Sequence, residues 1–496
     1  MDTKQFMFPI KDTPISDDAA VGTIFMEYEY YRRLKTSFTD ERLNKLLRKI
    51  EFVSPARFEL ILVYLLAYVD RSNAGNVKLF GALEDLHMDG TQWNISLSIF
   101  FITYAAGGMP SNIMLKRVGP RFWLPTLLIA CGTMIICAGL QSSFGGWAAF
   151  RVLLGFVEAG IYPGCSIILT TWYSPKELHT RITVFYSAAS IAGAFSGLLA
   201  YGIGHADYTW EYRGWRWIYI VEGLFSVVVG LVCFFWICPT PARVKSWLTE
   251  EEKEFLLLRQ RFSAGGETGA FRSMHTYAVA LIEFTVATVV YGISFVLPTI
   301  IQNLGYSSVR AQAMTAPPYV SACVVTFISG IAADRYRKRA LSIILPNTIA
   351  VVGFVIIIAS IRYAYVPGVT YFGIFLMAGG LYPVSPAVMA WIALNMAGSM
   401  KRSAAMALMI SISQLGGALG SNIFLANEAP TYPTGFGICL AMLVLFGVIW
   451  PGIYCVMLDR INKRRAAIPA EQVMTEHTLE ELAEMGDESP LFRYAL

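Results

Sequence analysis

Within Tyr68-Val69-Asp70-Arg71-Ser72-Asn73 an acid stands beside a base, inside a run of apolar residues that begins near Phe58. Charges in a membrane-length apolar segment are expensive, roughly 2.5–3.5 kcal/mol each at a helix centre on insertion scales, and they mark functional sites. Were the run to stop at Val69, the helix ahead of Asp70 would hold only about 12 residues, too few to cross a bilayer. Neighbouring helix positions point about 100° apart, so Asp70 and Arg71 cannot share a face, whereas Tyr68 and Arg71 do. A guanidinium can grip a carboxylate through two hydrogen bonds, and a tyrosine adds an aromatic wall and a hydroxyl. Tyr68 and Arg71 are therefore assigned to an anionic substrate. Asp70 is left facing the packing between helices.

A second acid lies at the same depth. Asp70 is roughly 18 Å along its helix from Phe58, and Glu158 roughly 16 Å along another from Trp147, at 1.5 Å per residue. Carboxylates from two helices near the midplane suit a proton site, and substrate anion on Arg71 would weaken the hold of that cation on them. Arg151, Gly155 and Glu158 form one stripe, with Gly155 letting another helix approach. Arg151 joins the proton-coupling set, although one turn from the edge it can also snorkel to the surface. Glu283 is near an edge and can do the same, and Glu222 is expected to pair with Arg213 or Arg216. The five histidines (His87, His179, His205, His275, His477) fall in loops, tails or at edges, leaving carboxylates as proton carriers.

The elements that must hold these residues follow from composition. Of 496 residues 55% are hydrophobic and 15% charged, against about a quarter charged in soluble proteins. Twelve apolar runs, near 58–80, 92–115, 122–141, 147–173, 181–203, 215–238, 276–301, 312–333, 340–361, 369–397, 402–425 and 436–458, approach or exceed the ~20 residues of a membrane-spanning helix. The polar segment 239–275 divides them six and six. This gives a cytoplasmic N-terminal segment (1–57), a six-helix bundle (58–238), a cytoplasmic central loop (239–275), a second bundle (276–458) and a cytoplasmic tail (459–496), of which 466–496 reads as acidic and mostly disordered. Asp40–Ile50 reads as an amphipathic surface helix. With both termini inside, the inner segments hold 32 of the 39 Lys and Arg, the positive-inside pattern. All eight cysteines sit in apolar runs, without a zinc or disulfide pattern. No cleavable signal is visible, so the first run would itself target the chain.

The halves repeat. Lys116-Arg117-Val-Gly-Pro-Arg121 answers Asp334-Arg335-Tyr-Arg-Lys-Arg339, Gly160-Ile-Tyr-Pro163 answers Gly380-Leu-Tyr-Pro383, and Ser190-Ile-Ala-Gly193 answers Ser413-Gln-Leu-Gly416, at offsets of 218, 220 and 223. Parallel halves around a midplane site are the architecture of a rocking secondary transporter. An offset of about 220 carries Asp70 and Arg71 to Tyr291 and Gly292, so the second half is expected to supply uncharged contacts instead: Tyr291, Ser294 and Gln414, with Ser190 from the fifth run.

Gly330-Ile-Ala-Ala-Asp334-Arg335-Tyr-Arg-Lys-Arg339 resembles the loop motif of the major facilitator superfamily. Asp70-Arg-Ser-Asn-Ala-Gly-Asn76, Pro110-Ser-Asn-Ile-Met-Leu-Lys-Arg-Val-Gly-Pro-Arg121, Arg151-Val-Leu-Leu-Gly-Phe-Val-Glu-Ala-Gly160 and Gly214-Trp-Arg-Trp-Ile-Tyr-Ile-Val-Glu-Gly223 together resemble the fungal allantoate permease family of anion:cation symporters. The resemblance implies a 12-helix all-α membrane fold, gating by Lys116, Arg117, Arg121, Asp334, Arg335 and Arg339, and proton-driven uptake of an organic anion such as nicotinate, pantothenate, biotin or allantoate across the plasma membrane. Asn112 and Lys116 stand where the superfamily has Gly and Asp, so an acid latch in the first loop is in doubt. The partners expected are the anion, protons and lipid, with no nucleic acid, no cofactor and a monomeric chain. Phosphate-loop, HExxH and nucleophile-elbow signatures are missing, against an enzyme or an ATP-driven pump. Export by antiport, and a non-transporting nutrient sensor, remain as alternatives.

Overall fold

The computed structural model describes residues 30–34, 36–53, 56–173, 175–203, 212–237, 241, 244, 247–262, 273–336, 338–361, 366–397, 399–478, 481–482 and 485–496. Most of the N-terminal segment, residues 239–240, 242–243, 245–246 and 263–272 of the central loop, His205 and Cys238, and the side chains of Lys116 and His179, lie outside the described residues.

The apolar runs fold as long helices, the form in which a chain in lipid satisfies its own backbone. We label them α1 (Ala56–Leu79), α2 (Gly90–Val118), α3 (Pro120–Gly139), α4 (Phe144–Glu158 and Ile161–Trp172), α5 (Pro175–Ile203), α6 (Gly214–Trp236), α7 (Met274–Asn303), α8 (Ala316–Tyr336), α9 (Leu341–Ala359), α10 (Pro367–Leu381 and Val384–Asn395), α11 (Ser399–Ile423) and α12 (Pro433–Met442 continuing through Trp450–Ala466). Ten of these, α3 to α12, are long and apolar enough to cross a membrane. The helices α1 and α2 have the length, 24 and 29 residues, but sit outside that set. Charge explains α1, whose 24 residues include Arg57, Glu59, Asp70, Arg71 and Lys78. Both pack among the others, α1 against α5, α6 and α7, and α2 against α4 and α11.

The internal repeat is written in the backbone. Both α4 and α10 break near their middles, at Ala159-Gly160 and at Tyr382-Pro383. Proline has no N–H and clashes with the carbonyl four residues back. Pro163 lies three residues past the break in α4 and Pro383 within the break in α10, at equivalent places in the repeat. In α12 the Pro451 ring leaves the Gly447 carbonyl without its helical donor; a π-helical stretch, Leu443–Ile449, absorbs the mismatch, and Asn347 Nδ2 donates to that carbonyl at 2.9 Å.

Packing ranks the helices. The most apolar windows of α7 and α10 are 83% buried and those of α4 and α5 72%, whereas α12 is 28% and α9 39%. The former group encloses the interior of the molecule. Each bundle closes on small residues: a Cβ on Gly132 of α3 would stand 2.6 Å from the Gly223 carbonyl of α6, and the reverse holds equally. The bundles meet along α2–α11, α5–α8, α5–α10 and α1–α7.

We call the end of the bundle that holds Asp40–Val53, Glu250–Phe262 and residues 485–496 the near end. Asp40–Val53 is helical, taking in the amphipathic stretch Asp40–Ile50. It is tied to Glu250–Phe262 by Arg42–Glu251 at 2.7 Å and Lys49–Glu252 at 2.7 Å, while Phe38, just ahead of it, stacks on Phe255 at 4.1 Å. The tail differs from expectation. Residues 485–496 dock on the second bundle: Asn395 bonds Ala495 twice, at 2.7 and 3.1 Å, the Arg339 N–H donates to the Leu496 carbonyl at 2.6 Å, and Lys401 pairs with Asp487 at 2.6 Å, both buried. The acidic composition hid this, because the residues that hold the segment are mostly backbone-reading Asn and Arg side chains in other helices.

Candidate functional site

The centre of the molecule is the Arg71 guanidinium, 5% exposed. Its Nε donates to Glu158 Oε1, and its Nη1 donates to the Tyr291 hydroxyl at 2.7 Å. The Tyr104 ring lies under it, 4.5 Å from ring centroid to guanidinium carbon. Sequence reasoning joined Glu158 to Asp70; the structure gives it to Arg71. The cause is the break after Glu158: α4 ends there and turns its last carboxylate inwards. Gly155, one turn earlier, lets α2 approach, since a Cβ there would collide with the Phe100 carbonyl and Thr103 Oγ1.

Arg71 opens on a cavity between the bundles, towards the near end. Its walls are tyrosines from four helices: Tyr64 and Tyr68 (α1), Tyr162 (α4), Tyr186 (α5) and Tyr291 (α7). Tyr68 and Tyr291 stack at 6.4 Å, and the Tyr68 hydroxyl stands 3.5 Å from that of Tyr382. The floor holds Glu283, Ser385, Ser413 and Gln414. Of the assigned substrate residues, the structure brings Tyr68, Arg71, Tyr291 and Gln414 together around this space. Ser190 is fully buried and does not line it. Ser294 accepts from Tyr319 at 3.3 Å instead.

The cavity is contracted, about 20 Å³, room for about one water. Beyond it the far halves of the bundles are in contact. A Cβ on Gly75 of α1 would meet the Ser294 carbonyl of α7 at 2.9 Å, Ser98 of α2 is 2.9 Å from Ser421 of α11, and Gln312 donates to the Asn76 carbonyl at 3.3 Å.

Asp70 occupies the other face of α1, 1% exposed, with neither oxygen hydrogen-bonded among the described residues. Its charged neighbours are Glu222, Glu158, Arg151 and Arg71. Glu222 does not pair with Arg213 or Arg216. It accepts from Asn73, one turn after Asp70, while the arginines go to the α1–α2 connection: Arg213 to Glu84 at 2.9 Å and Asp85 at 3.2 Å, Arg216 to Asp85 at 3.9 Å. Arg151 does not snorkel: it is 3% exposed, donates to the Tyr219 hydroxyl at 2.9 Å and lies over Trp147 at 4.9 Å. Glu283 does not snorkel either; it is 9% exposed and accepts from Ser385. Sequence position alone put it near an edge, but α7 begins at Met274, nine residues before it, which sets Glu283 roughly 14 Å along the helix at 1.5 Å per residue.

The residues expected at the gates lie at the near end. Arg339 donates to Asp334 Oδ1 at 3.3 Å and Arg121 to the Phe234 carbonyl at 3.4 Å, while Arg117 and Arg335 are exposed. Sequence reasoning missed Tyr64, Tyr162, Tyr186, Glu283 and Ser385. One signal for the tyrosines was present: Tyr162 and Tyr382 are the matching tyrosines of the repeat, and Tyr64 lies four residues before Tyr68.

A family model described as Major Facilitator Superfamily matches residues 60–421 and 279–475. The MFS-type transporter cnsO of Penicillium expansum is 39% identical across 98% of this chain and 96% of its own length. An uncharacterized transporter of Schizosaccharomyces pombe, C1002.16c, is 33% identical across 81% of each chain. Among solved structures, the proton:xylose symporter XylE superposes with a TM-score of 0.61 at 13% identity, covering 80% of this chain and 94% of that one, a likeness of fold alone.

Proposed function

This chain belongs to the major facilitator superfamily and is a membrane transporter, and we propose that it is a proton-coupled symporter taking up a small organic anion. The observation that carries this is the Arg71–Glu158 pair: a buried cation at a cavity, held by a carboxylate that an incoming carboxylate can replace. An isolated charge in such a place is costly. When substrate takes the guanidinium, Glu158 and Asp70 lose part of its attraction, and binding a proton removes the exposed charge. Substrate and proton are thereby linked. In the conformation described the far side is closed, so a rocking motion that parts the α1–α7 and α2–α11 contacts would open the cavity to it.

The motifs quoted above support the allantoate permease group and substrates such as nicotinate, pantothenate, biotin or allantoate. The Lys and Arg at the near end support its being cytoplasmic, in a monomeric plasma-membrane protein with α1 and α2 completing twelve spans. The test is uptake into proteoliposomes under an imposed pH gradient, against a panel of vitamins, ureides and small carboxylates. The receiving compartment should acidify as the right anion enters. Transport of neutral or cationic solutes, with Arg71→Ala silent, sinks the reading.

A further inference from the structure

The cavity has two chemically opposite ends. Arg71 supplies donors at one. At the other, Glu283 Oε1 accepts from Ser385, but Glu283 Oε2 has no partner among the described residues, and neither has Gln414 Oε1. Both side chains are more than nine-tenths buried and line the cavity. Two buried acceptors without donors, one of them a carboxylate, are expensive to leave unmet. Nothing cationic is paired with Glu283 in the described contacts. The spacing is that of one helical stripe: Glu283, Ala287 and Tyr291 follow each other every four residues on α7, and Tyr291 touches Arg71. Eight residues span roughly 12 Å at 1.5 Å each, and both end groups reach inwards, so the distance left for a ligand is shorter. Between the ends the walls are tyrosine faces, which accommodate a flat body and attract a cation.

We propose that the transported molecule is amphoteric: a carboxylate bound at Arg71, a flat middle against the tyrosines, and at the far end a protonated nitrogen or cluster of N–H donors bound by Glu283 and Gln414. This deepens the anion-transport reading and rests on it. A plain monocarboxylate satisfies one end and leaves the Glu283 and Gln414 oxygens unmet.

Three probes separate the ends: benzoate (anion alone), benzylamine (cation alone) and 4-(aminomethyl)benzoate (both), with binding measured by equilibrium dialysis on the full chain in lipid nanodiscs. 4-(Aminomethyl)benzoate should bind about tenfold or more tighter than either of the others, as a charge-assisted hydrogen bond implies. Glu283→Gln should bring it to parity with benzoate, and Gln414→Leu should shrink the same ratio, so that either variant decides if the other does not fold. Benzoate binding that depends on Arg71, with no gain from the amine, overturns the amphoteric ligand and leaves anion transport standing. If no carboxylate binds, both readings fall.

Discussion

Asp70→Asn tests where the transported proton sits. In the first bundle three carboxylates (Asp70, Glu158, Glu222) face two guanidiniums (Arg71, Arg151), all at most 5% exposed. One negative charge is therefore left uncancelled unless a proton is bound, and anion on Arg71 adds another. Glu158 is engaged by Arg71 and Glu222 by Asn73, whereas both oxygens of Asp70 accept nothing among the described residues. Asp70 is the seat most open to a proton. Asparagine keeps the shape of the protonated acid and cannot release a proton. One proton per monoanion across two pH units stores about 2.7 kcal/mol, a concentration ratio of roughly 100. With the voltage clamped to zero, the wild-type protein in proteoliposomes should approach that ratio. The variant should fall to a ratio of about one, while still exchanging labelled for unlabelled substrate. A variant that still accumulates substrate uphill means that Glu158 or Glu222 carries the proton, and the assignment to Asp70 is refuted.

Other perturbations follow from the same contacts. Arg71→Lys keeps the charge but loses the planar fork that holds Glu158 and Tyr291 together, so apparent substrate affinity should fall about tenfold or more in uptake assays. Gly155→Val drives a side chain into the Phe100 carbonyl and Thr103; the monodisperse fraction on size exclusion should collapse. Lys401→Met strands the buried Asp487 carboxylate, a loss of about 3–5 kcal/mol for a broken buried pair. Trypsin should then cut at Arg493 faster, and the double variant Lys401→Met/Asp487→Leu should restore protection. Burial alone would raise the Glu252 carboxyl, but hydrogen bonds from Lys49 and Thr249 outweigh it and hold it below the usual range. The contribution of Glu252 is therefore complete above the ordinary carboxylate pKa and is lost as pH falls through its lowered one. Crosslinking of Asp40–Val53 to Glu250–Phe262 should weaken in that acid window and in Glu252→Gln at neutral pH.

Helical arithmetic made the site legible where one helix was enough. Tyr68 and Arg71 share a face, Asp70 takes another, and all three stand at those orientations because 3.6 residues per turn leaves no choice. The repeat pointed to Tyr291, which the structure sets against Arg71. Partnerships between helices were not legible in the same way. Depth placed Glu158 level with both Asp70 and Arg71, but rotation about α4 decides between them, and that rotation is set by the break before Pro163 and the α2 contact at Gly155. Glu222 was matched to the arginines nearest in sequence, whereas the turn after α1 brings Glu84 and Asp85 to those arginines first. Glu283 and the docked tail were misread for one reason: hydropathy measures how a segment partitions, not what covers its ends.

The two faces of α1 are then joined by Glu158. Its Oε1 takes the guanidinium that faces the cavity, its Oε2 has no hydrogen-bond partner among the described residues, and its charge bears on Asp70 behind the helix. An anion arriving at Arg71 therefore acts on Asp70 in two ways at once, by occupying the cation and by releasing a second carboxylate beside it. Neither effect needs α1 to move. The second bundle is also more than a wall in this reading, because Glu283 puts a carboxylate across the cavity from Arg71. Glu158→Gln separates these contributions. With the competing carboxylate gone, Arg71 should bind the anion more tightly, whereas the pH dependence of that binding should flatten. Tighter binding with unchanged pH dependence would show that Asp70 senses the substrate through Arg71 alone.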